Sequence, residues 1–331
     1  MTPNKKTNIA IFVPHAGCPH LCSFCDQKAI SGSVKTPSAD EVWELLKTQA
    51  QSLEERGILA EIAFFGGSFT AIERGYMESL LMIASRAMKK FPVYTGIRCS
   101  TRPDCVDEII VGVLKKYGVT AVELGAQSMS DEVLEANDRG HSAEDVRKAA
   151  ALIRQSGIEL GLQMMTGLYR DTPERCLYTA DEFIKLYPKT VRIYPTVILK
   201  NTRLGELFTS GEYKSFSFEK TVDLCAVLLR KFTEKGVRVI RLGLHASPDV
   251  ERNMLGGVYH PALREIVESR IFLEDLKGRL LNMPKGKYLV YTDPKNLSKA
   301  IGQKKNNINA LAELGYEIEF KPRAGVYIWI I

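Results

Sequence analysis

The chain has 331 residues with 45% hydrophobic side chains, enough for one large core and a small second one, and no run of about 18 apolar residues marks a membrane span. Its seven cysteines are odd in number and follow no export signal, which argues against a disulfide framework and for a reducing cytoplasm. The net charge of +6 is concentrated from Lys277 onward, where ten Lys or Arg stand against four Asp or Glu; a basic tail on a neutral body suits a polyanion such as nucleic acid, a solubilising surface being the plainer reading.

The opening MTPNKKTNIAIFVPH holds a short apolar run that ends in Pro14 and His15 rather than at a small-residue cleavage site. It reads as a first buried strand, not a signal peptide. HAGCPHLCSFCDQ follows (residues 15–27), with Cys18, Cys22 and Cys25 in a C-x3-C-x2-C spacing. Strands are expected at 8–14, 61–67, 95–101, 121–127, 159–165, 191–197 and 237–245, with amphipathic helices between them. Ser38 and Glu41 form a capping box. Thr172 caps a helix with Pro173 at its first position, and Ser217 opens another.

Repeated βα units predict an α/β fold with parallel strands and right-handed crossovers, curled into a partial or complete (β/α) barrel. Chemistry in such folds gathers at the C-terminal ends of the strands. The unusual motifs fall there: the cysteine loop after the first strand, GGSFT after the second, CSTRPD after the third, GAQS after the fourth and YPT after the sixth. Beyond Ser247 the rhythm breaks. Residues 247–281 read as a loop and then a helix, GKYLVYTD as a strand, the following stretch as helix, turn and helix, and YEIEFKP and VYIWII as strands.

Three thiolates on one loop can hold a metal and leave one position open. A [4Fe–4S] cube usually takes four thiolates. With three, the fourth iron is left for an outside ligand, a place S-adenosylmethionine (SAM) can fill with its amino and carboxylate groups. One electron from the cluster can then break the C–S bond of SAM, giving methionine and a 5′-deoxyadenosyl radical. The alternative is a structural zinc closed by His15 or His20 as Cys3His. Cys99, Cys105, Cys176 and Cys225 are scattered and read as plain thiols. The two glycines of FFGGSFT, just past a strand, let backbone approach a ligand.

The cysteine trio, with Phe24 before its last member, resembles the signature of the radical-SAM superfamily. FFGGSFTA, STRPD, VELGAQSMSDEVLEANDRGHS and VRIYPTVILKNTRLGELFTSGEY together resemble the radical-SAM half of the Elongator catalytic-subunit family, whose members modify the wobble uridine of transfer RNA. The likeness covers about residues 8–245. It implies a [4Fe–4S] cluster on Cys18, Cys22 and Cys25, and SAM as the second cofactor. It places Gly66, Gly67 and Ser68 at the methionine end of SAM, Arg139 on its carboxylate, and Ser100 and Gln127 facing it. Glu123 and Tyr194 become pocket candidates, and Lys200 a candidate for an anionic substrate group; structural polar groups and a loop lysine are the plainer readings. An electron donor such as flavodoxin or ferredoxin is implied. Two departures stand out. Tyr169 and Arg170 replace a Pro-Gly pair in MMTGLYRDTPE, and the chain ends at Ile331 with no room for the acetyltransferase domain of typical members. Carboxymethyl transfer from acetyl-CoA and the wobble uridine itself are therefore left open.

DPKNLSKAIGQKKNNINALAELGYEIEF (293–320) resembles a K-homology (KH) RNA-binding core, which clamps nucleotides at a GXXG turn between two helices. The turn here is Gly302-Gln303-Lys304-Lys305, with Lys305 in place of the second glycine, and Asn306 and Asn307 are positioned to cap the second helix. The expectation is a radical-SAM partial barrel over 1–246, a linker and helix over 247–284 and a basic KH-like unit over 285–331. The chain reads as a cytoplasmic enzyme that modifies RNA, transfer RNA first. The alternatives are the same chemistry on a non-RNA substrate, or a non-catalytic RNA-binding protein with a structural metal.

Overall fold

The computed structural model describes residues 6–13, 22–26, 36–245 and 247–331. The body alternates strands and helices: β1 (Lys6–Phe12), α1 (Ala39–Glu55), β2 (Leu59–Phe65), α2 (Arg74–Lys90), β3 (Tyr94–Thr101), α3 (Glu108–Lys116), β4 (Ala121–Gln127), α4 (Asp131–Ala136), α5 (Ala143–Gln155), β5 (Glu159–Thr166), α6 (Pro173–Lys185) and β6 (Thr190–Pro195). A short β7 (Val197–Leu199) and α7 (Arg203–Thr209) lead to α8 (Phe218–Glu234) and β8 (Arg238–Leu242). Seven strands form one sheet in the order β1-β2-β3-β4-β5-β6-β8, and every neighbouring pair is parallel. Among the described residues β1 and β8 remain its two edges, so the barrel is partial.

Helix starts follow the local chemistry. Ser38 and Glu41 cap α1 reciprocally, Thr172 caps α6 with Pro173 at its first turn, and Ser217 caps α8. Alternation within the strands separates two faces. Ile62, Phe64, Ile97, Val122, Leu124, Leu162, Val191 and Ile193 point outward and are fully buried under the helices in one continuous core. Truncating one of them to alanine costs about 2–5 kcal/mol. The opposite parity carries Glu61, Arg98, Glu123, Gln163 and Arg192 into the concave side of the sheet. No helix among the described residues is long and apolar enough to cross a membrane.

Beyond β8 come α9 (Pro248–Asn253), β9 (Met254–Gly257) and α10 (Leu263–Leu280). The segment expected as a loop therefore contains a short helix and a strand. β9 pairs antiparallel with β7, a partner 55 residues or more away in sequence that local pattern does not reveal. Gly257 makes the approach possible: its φ is +85°, and a Cβ there would sit 2.3 Å from the Thr196 carbonyl oxygen.

The C-terminal unit comprises β10 (Gly286–Thr292), α11 (Leu297–Ile301), α12 (Asn306–Glu313), β11 (Tyr316–Pro322) and β12 (Trp329–Ile330). Its sheet runs β11-β10-β12, parallel on one side of β10 and antiparallel on the other. α10 belongs to both cores: Leu263 and Val267 pack into the barrel core, Phe272, Leu276 and Leu280 into the second. Asn306 and Asn307 do not cap α12. The cap position is Lys305, and the buried Asn307 donates its amide to the carbonyls of Ser269, Lys299 and Ala300, tying α12 to α10 and α11.

Candidate functional site

A cavity of about 350 Å³ opens at the C-terminal ends of the sheet strands. It brings together Cys22, Cys25, Gly66, Gly67, Ser100, Gln127, Arg139 and Tyr194 from the residues singled out in the sequence. Cys18 lies outside the described residues, as do His15 and His20. Among the described residues no three metal-ligating side chains stand together. None of the described cysteines forms a disulfide. Cys99, Cys176 and Cys225 are fully buried thiols, and burial holds their protons on.

The cysteine loop is held from both sides. Ser23 is buried; its hydroxyl donates to Asn137 Oδ1 at 2.8 Å, its N–H to the Asn137 carbonyl at 3.1 Å, and its carbonyl accepts from Leu204 N at 2.7 Å. Asn137 in turn donates to the Val133 and Tyr169 carbonyls. One amide side chain thus ties the loop, the end of α4 and the loop after β5 together. Phe24 packs with Ile198, Leu204 and Tyr213, which fixes the backbone between Cys22 and Cys25. In the departing loop Arg170 takes φ +60°, the left-handed conformation that a glycine adopts without strain.

Two guanidinium groups meet at this loop. Arg139 is buried; its Nη1 donates to Cys22 Sγ at 2.8 Å and its Nη2 to the Gly125 carbonyl. Arg102 grips Asp104 with two bonds of 2.9 Å and donates to the Arg139 carbonyl. Among the described residues Arg139 Nε and Arg102 Nη1 are buried with no hydrogen-bond partner, and so is the amide oxygen of Gln127. Gln127 itself sits at φ +66° at the end of β4. Gly66 is at φ +100°. A Cβ on Gly125 would sit 3.1 Å from the Gln127 amide nitrogen and 3.7 Å from Arg139 Nη2. Orphaned donors and an orphaned acceptor around a space that side chains leave open fit a charged ligand of mixed polarity. The cationic pair fits thiolates and a carboxylate. The donor set therefore suits the cluster and SAM that the trio implies.

Three expected residues lie elsewhere. Ser68 is buried between strands, hydrogen-bonded to Thr101 Oγ1 at 2.8 Å and accepting from Arg102 N; it shapes the GG turn from behind. Lys200 is exposed and outside the cavity. Glu123 is a layer beneath the lining. Its carboxylate takes Arg98 Nη1 at 2.9 Å, Arg192 Nη2 at 2.8 Å and Gln163 Nε2 at 3.0 Å. Arg98 reaches on to Glu61 at 2.6 Å. Burial works to raise the Glu123 pKa, and the bonds and charges of Arg192 and Arg98 outweigh it, holding the carboxyl below its ordinary value. Arg102, Arg192 and Gly125 line the cavity and were not singled out. Their signal was an arginine or glycine at the inward parity of otherwise apolar strands. Tyr194 stays protonated because burial pushes its pKa up.

The Gly302–Lys305 turn keeps the backbone of a glycine turn without its second glycine. Lys304 and Lys305 take φ +52° and +60°, and a Cβ on Gly302 would meet Asn307 at 3.1 Å. Lys299 is paired with Glu268 at 2.6 Å and Lys295 loosely with Asp293 at 3.8 Å. Among the described residues no carboxylate pairs with Lys304 or Lys305.

A family model described as the radical SAM superfamily matches residues 12–183, and one described as a radical SAM C-terminal domain matches 188–272. A tRNA uridine(34) acetyltransferase of Methanocaldococcus infernus is 27% identical over 314 residues, covering 82% of this chain and 58% of that protein. An uncharacterised protein of Methanocaldococcus jannaschii is 29% identical over 227 residues, covering 67% of this chain and 66% of its own length. The chain thus spans about half to two thirds of the curated relatives it matches. The solved structure of the archaeal M. infernus Elp3 superposes with a TM-score of 0.66 at 23% identity, over 84% of this chain and 64% of that one, a likeness of fold.

Proposed function

This chain belongs to the radical SAM superfamily, and on that premise we propose that it modifies a nucleoside in RNA, with transfer RNA as the substrate. Membership makes it an enzyme with a [4Fe–4S] cluster and SAM as cofactors. The reading is supported most by one observation: Cys22, Cys25, the Gly66–Gly67 turn, Gln127 and Arg139 converge in a single cavity at the strand ends. The substrate class rests on the tRNA-acting relative and on Lys304 and Lys305, which have no carboxylate partner among the described residues.

In this reading Cys18, Cys22 and Cys25 hold the cluster, with Ser23 and Asn137 fixing the loop. The main chain of Gly66 and Gly67 would receive the amino group of SAM. Arg139, whose Nε has no partner among the described residues, would take its carboxylate, and the Gln127 amide oxygen, also without a partner there, would accept an N–H or O–H of SAM. Bound together, the two cofactors supply the one-electron reduction and hydrogen abstraction that no side chain offers. The apolar wall of Phe12, Phe65, Val197 and Leu199 keeps water away from the reacting atoms. Tyr194 presents a protonated hydroxyl at the β6 side as a hydrogen-bond donor to the substrate. Lys304 and Lys305 contact RNA phosphates. Electrons come from a small donor of the flavodoxin or ferredoxin type, and the described thiols suit a reducing cytoplasm.

Nucleoside mass spectrometry of transfer RNA from cells lacking the chain tests the reading, alongside anaerobic SAM cleavage by the purified protein. A modified nucleoside should vanish and return on complementation. An unchanged nucleoside profile in a strain whose purified enzyme still cleaves SAM removes RNA as the substrate.

A further inference from the structure

The outer face of the C-terminal sheet takes no part in the cavity or in the helix–turn–helix. Along its strands Val290, Tyr316 and Ile318 point into the second core, so the other parity faces solvent. One row on that face crosses all three strands: Tyr291 on β10 is in register with Lys321 on β11 and with Trp329 on β12. The Tyr291 and Trp329 rings lie 5.2 Å apart and 32° from parallel. The Arg323 guanidinium sits 4.2 Å over the Trp329 ring. Trp329 nevertheless keeps 42% of its surface exposed.

We propose that this row is a stacking platform for unpaired bases of single-stranded RNA, a surface separate from the Gly302–Lys305 turn. Flat aromatic faces with an adjacent guanidinium take any base by its π-face, and a cation beside them meets the phosphate. The charge balance agrees. Glu317 and Glu319 on the same face are neutralised by Lys287 at 3.0 Å and Lys321 at 2.6 Å. Among the described residues Arg323 has no carboxylate partner, and the segment from Lys277 onward carries ten cations against four anions. Tyr291 and Trp329 also hold each other at rest, so little side-chain freedom is lost when a base stacks. The inference rests on RNA being the substrate.

The chain has two tryptophans, so W43F in the full-length protein leaves Trp329 as the sole indole reporter. A single-stranded oligouridine should quench its fluorescence saturably at low salt, and an RNA duplex of equal length should not. Trp329→Leu should weaken oligouridine binding, followed by anisotropy of a labelled oligonucleotide, by about tenfold or more. Tyr291→Leu and Arg323→Gln should each weaken it by less, and Trp329→Phe should restore part of the loss. If Trp329→Leu binds as tightly as its parent, the platform is wrong while RNA binding stands. If the parent holds neither oligouridine nor transfer RNA at low salt, the RNA reading fails and the platform with it. Quenching that appears on raising protein concentration alone, with a sedimenting dimer lost in Trp329→Leu, makes the face a contact between copies and also overturns it.

Discussion

The concave side of the half-barrel and the surface of the C-terminal unit handle charge in opposite ways. Inside the barrel, Glu61, Arg98, Glu123 and Arg192, from β2, β3, β4 and β6, form one ladder that spans β5, with Glu123 only 1% exposed. Every rung is bonded, because an unpaired ion there costs several kcal/mol. On the C-terminal unit, ion pairs such as Lys287–Glu317 are open to solvent, and Lys304, Lys305 and Arg323 have no carboxylate partner among the described residues. Water hydrates such cations, so they need no carboxylate partner and remain available to a polyanion. Buried charge in this chain is architecture, and exposed unpaired charge is a handle for a partner.

Cys22 and Cys25 line the cavity at the strand ends, and disturbing them has the largest expected effect. Cys25→Ala should abolish SAM cleavage and lower the iron content of anaerobically purified protein, with the fold retained by circular dichroism. An unchanged iron content would remove Cys25 from the ligand set. Next comes the ladder. Glu123→Gln leaves Arg98 and Arg192 buried beside a neutral group and should cost about 3–5 kcal/mol in chemical denaturation. Glu317→Gln, the matched change in an exposed pair, should cost no more than about 1 kcal/mol. Equal losses at the two positions erase the contrast between the regions.

Acid titration probes the same contrast. His141 is buried, with its Nε2 bonded to the Ala126 carbonyl at 3.2 Å. Burial, aided by the nearby Arg139 charge, pulls its pKa down to about 4. The unfolded chain binds this proton near pH 6.5 and the folded chain does not, so stability is full above that pH and falls as pH drops toward 4, by about 3 kcal/mol. Glu123, also held below its ordinary value, acts in the same direction: its contribution is present above about pH 4.3 and is lost as pH falls through its folded value. Denaturant midpoints measured from pH 7.5 to 4 should hold to about pH 6.5 and then fall, less steeply in His141→Gln. A flat profile contradicts a neutral, buried His141.

The smallest effect is at the turn. Lys305→Gly relieves a left-handed backbone at a non-glycine residue and should stabilise the fold by up to about 1 kcal/mol. It should also weaken RNA binding and lower the salt slope by about one. Stabilisation without any loss of RNA affinity would show that Lys305 serves the backbone alone.

Much of the fold was legible because its determinants are local. The seven sheet strands announced themselves by short apolar runs, and Ser38, Thr172 and Ser217 by capping chemistry. β9 was missed because Met254–Gly257 contains neither β-branched nor aromatic residues and becomes a strand only through β7. That Cys22, Cys25, Gly66, Gly67, Gln127 and Arg139 share one end of the barrel was legible through spacing and resemblance, and all six line the cavity. Glu123 was placed in the lining for want of any way to see the two arginines, 25 and 69 residues away, that draw it beneath. Asn307 looked like a cap and proved to be a tether, since its partners on α10 are 38 residues distant.

Strand and helix periodicity, the caps at Ser38, Thr172 and Ser217 and the spacing of the three cysteines were set by the sequence alone, since each depends on residues within a few positions of one another. Which charges meet across the barrel, which donors are left without partners around the cavity, and which aromatic row stays open on the second sheet were decided only by tertiary structure. These depend on strand register and sheet curvature, which bring distant residues within bonding reach and have no local signature in the chain.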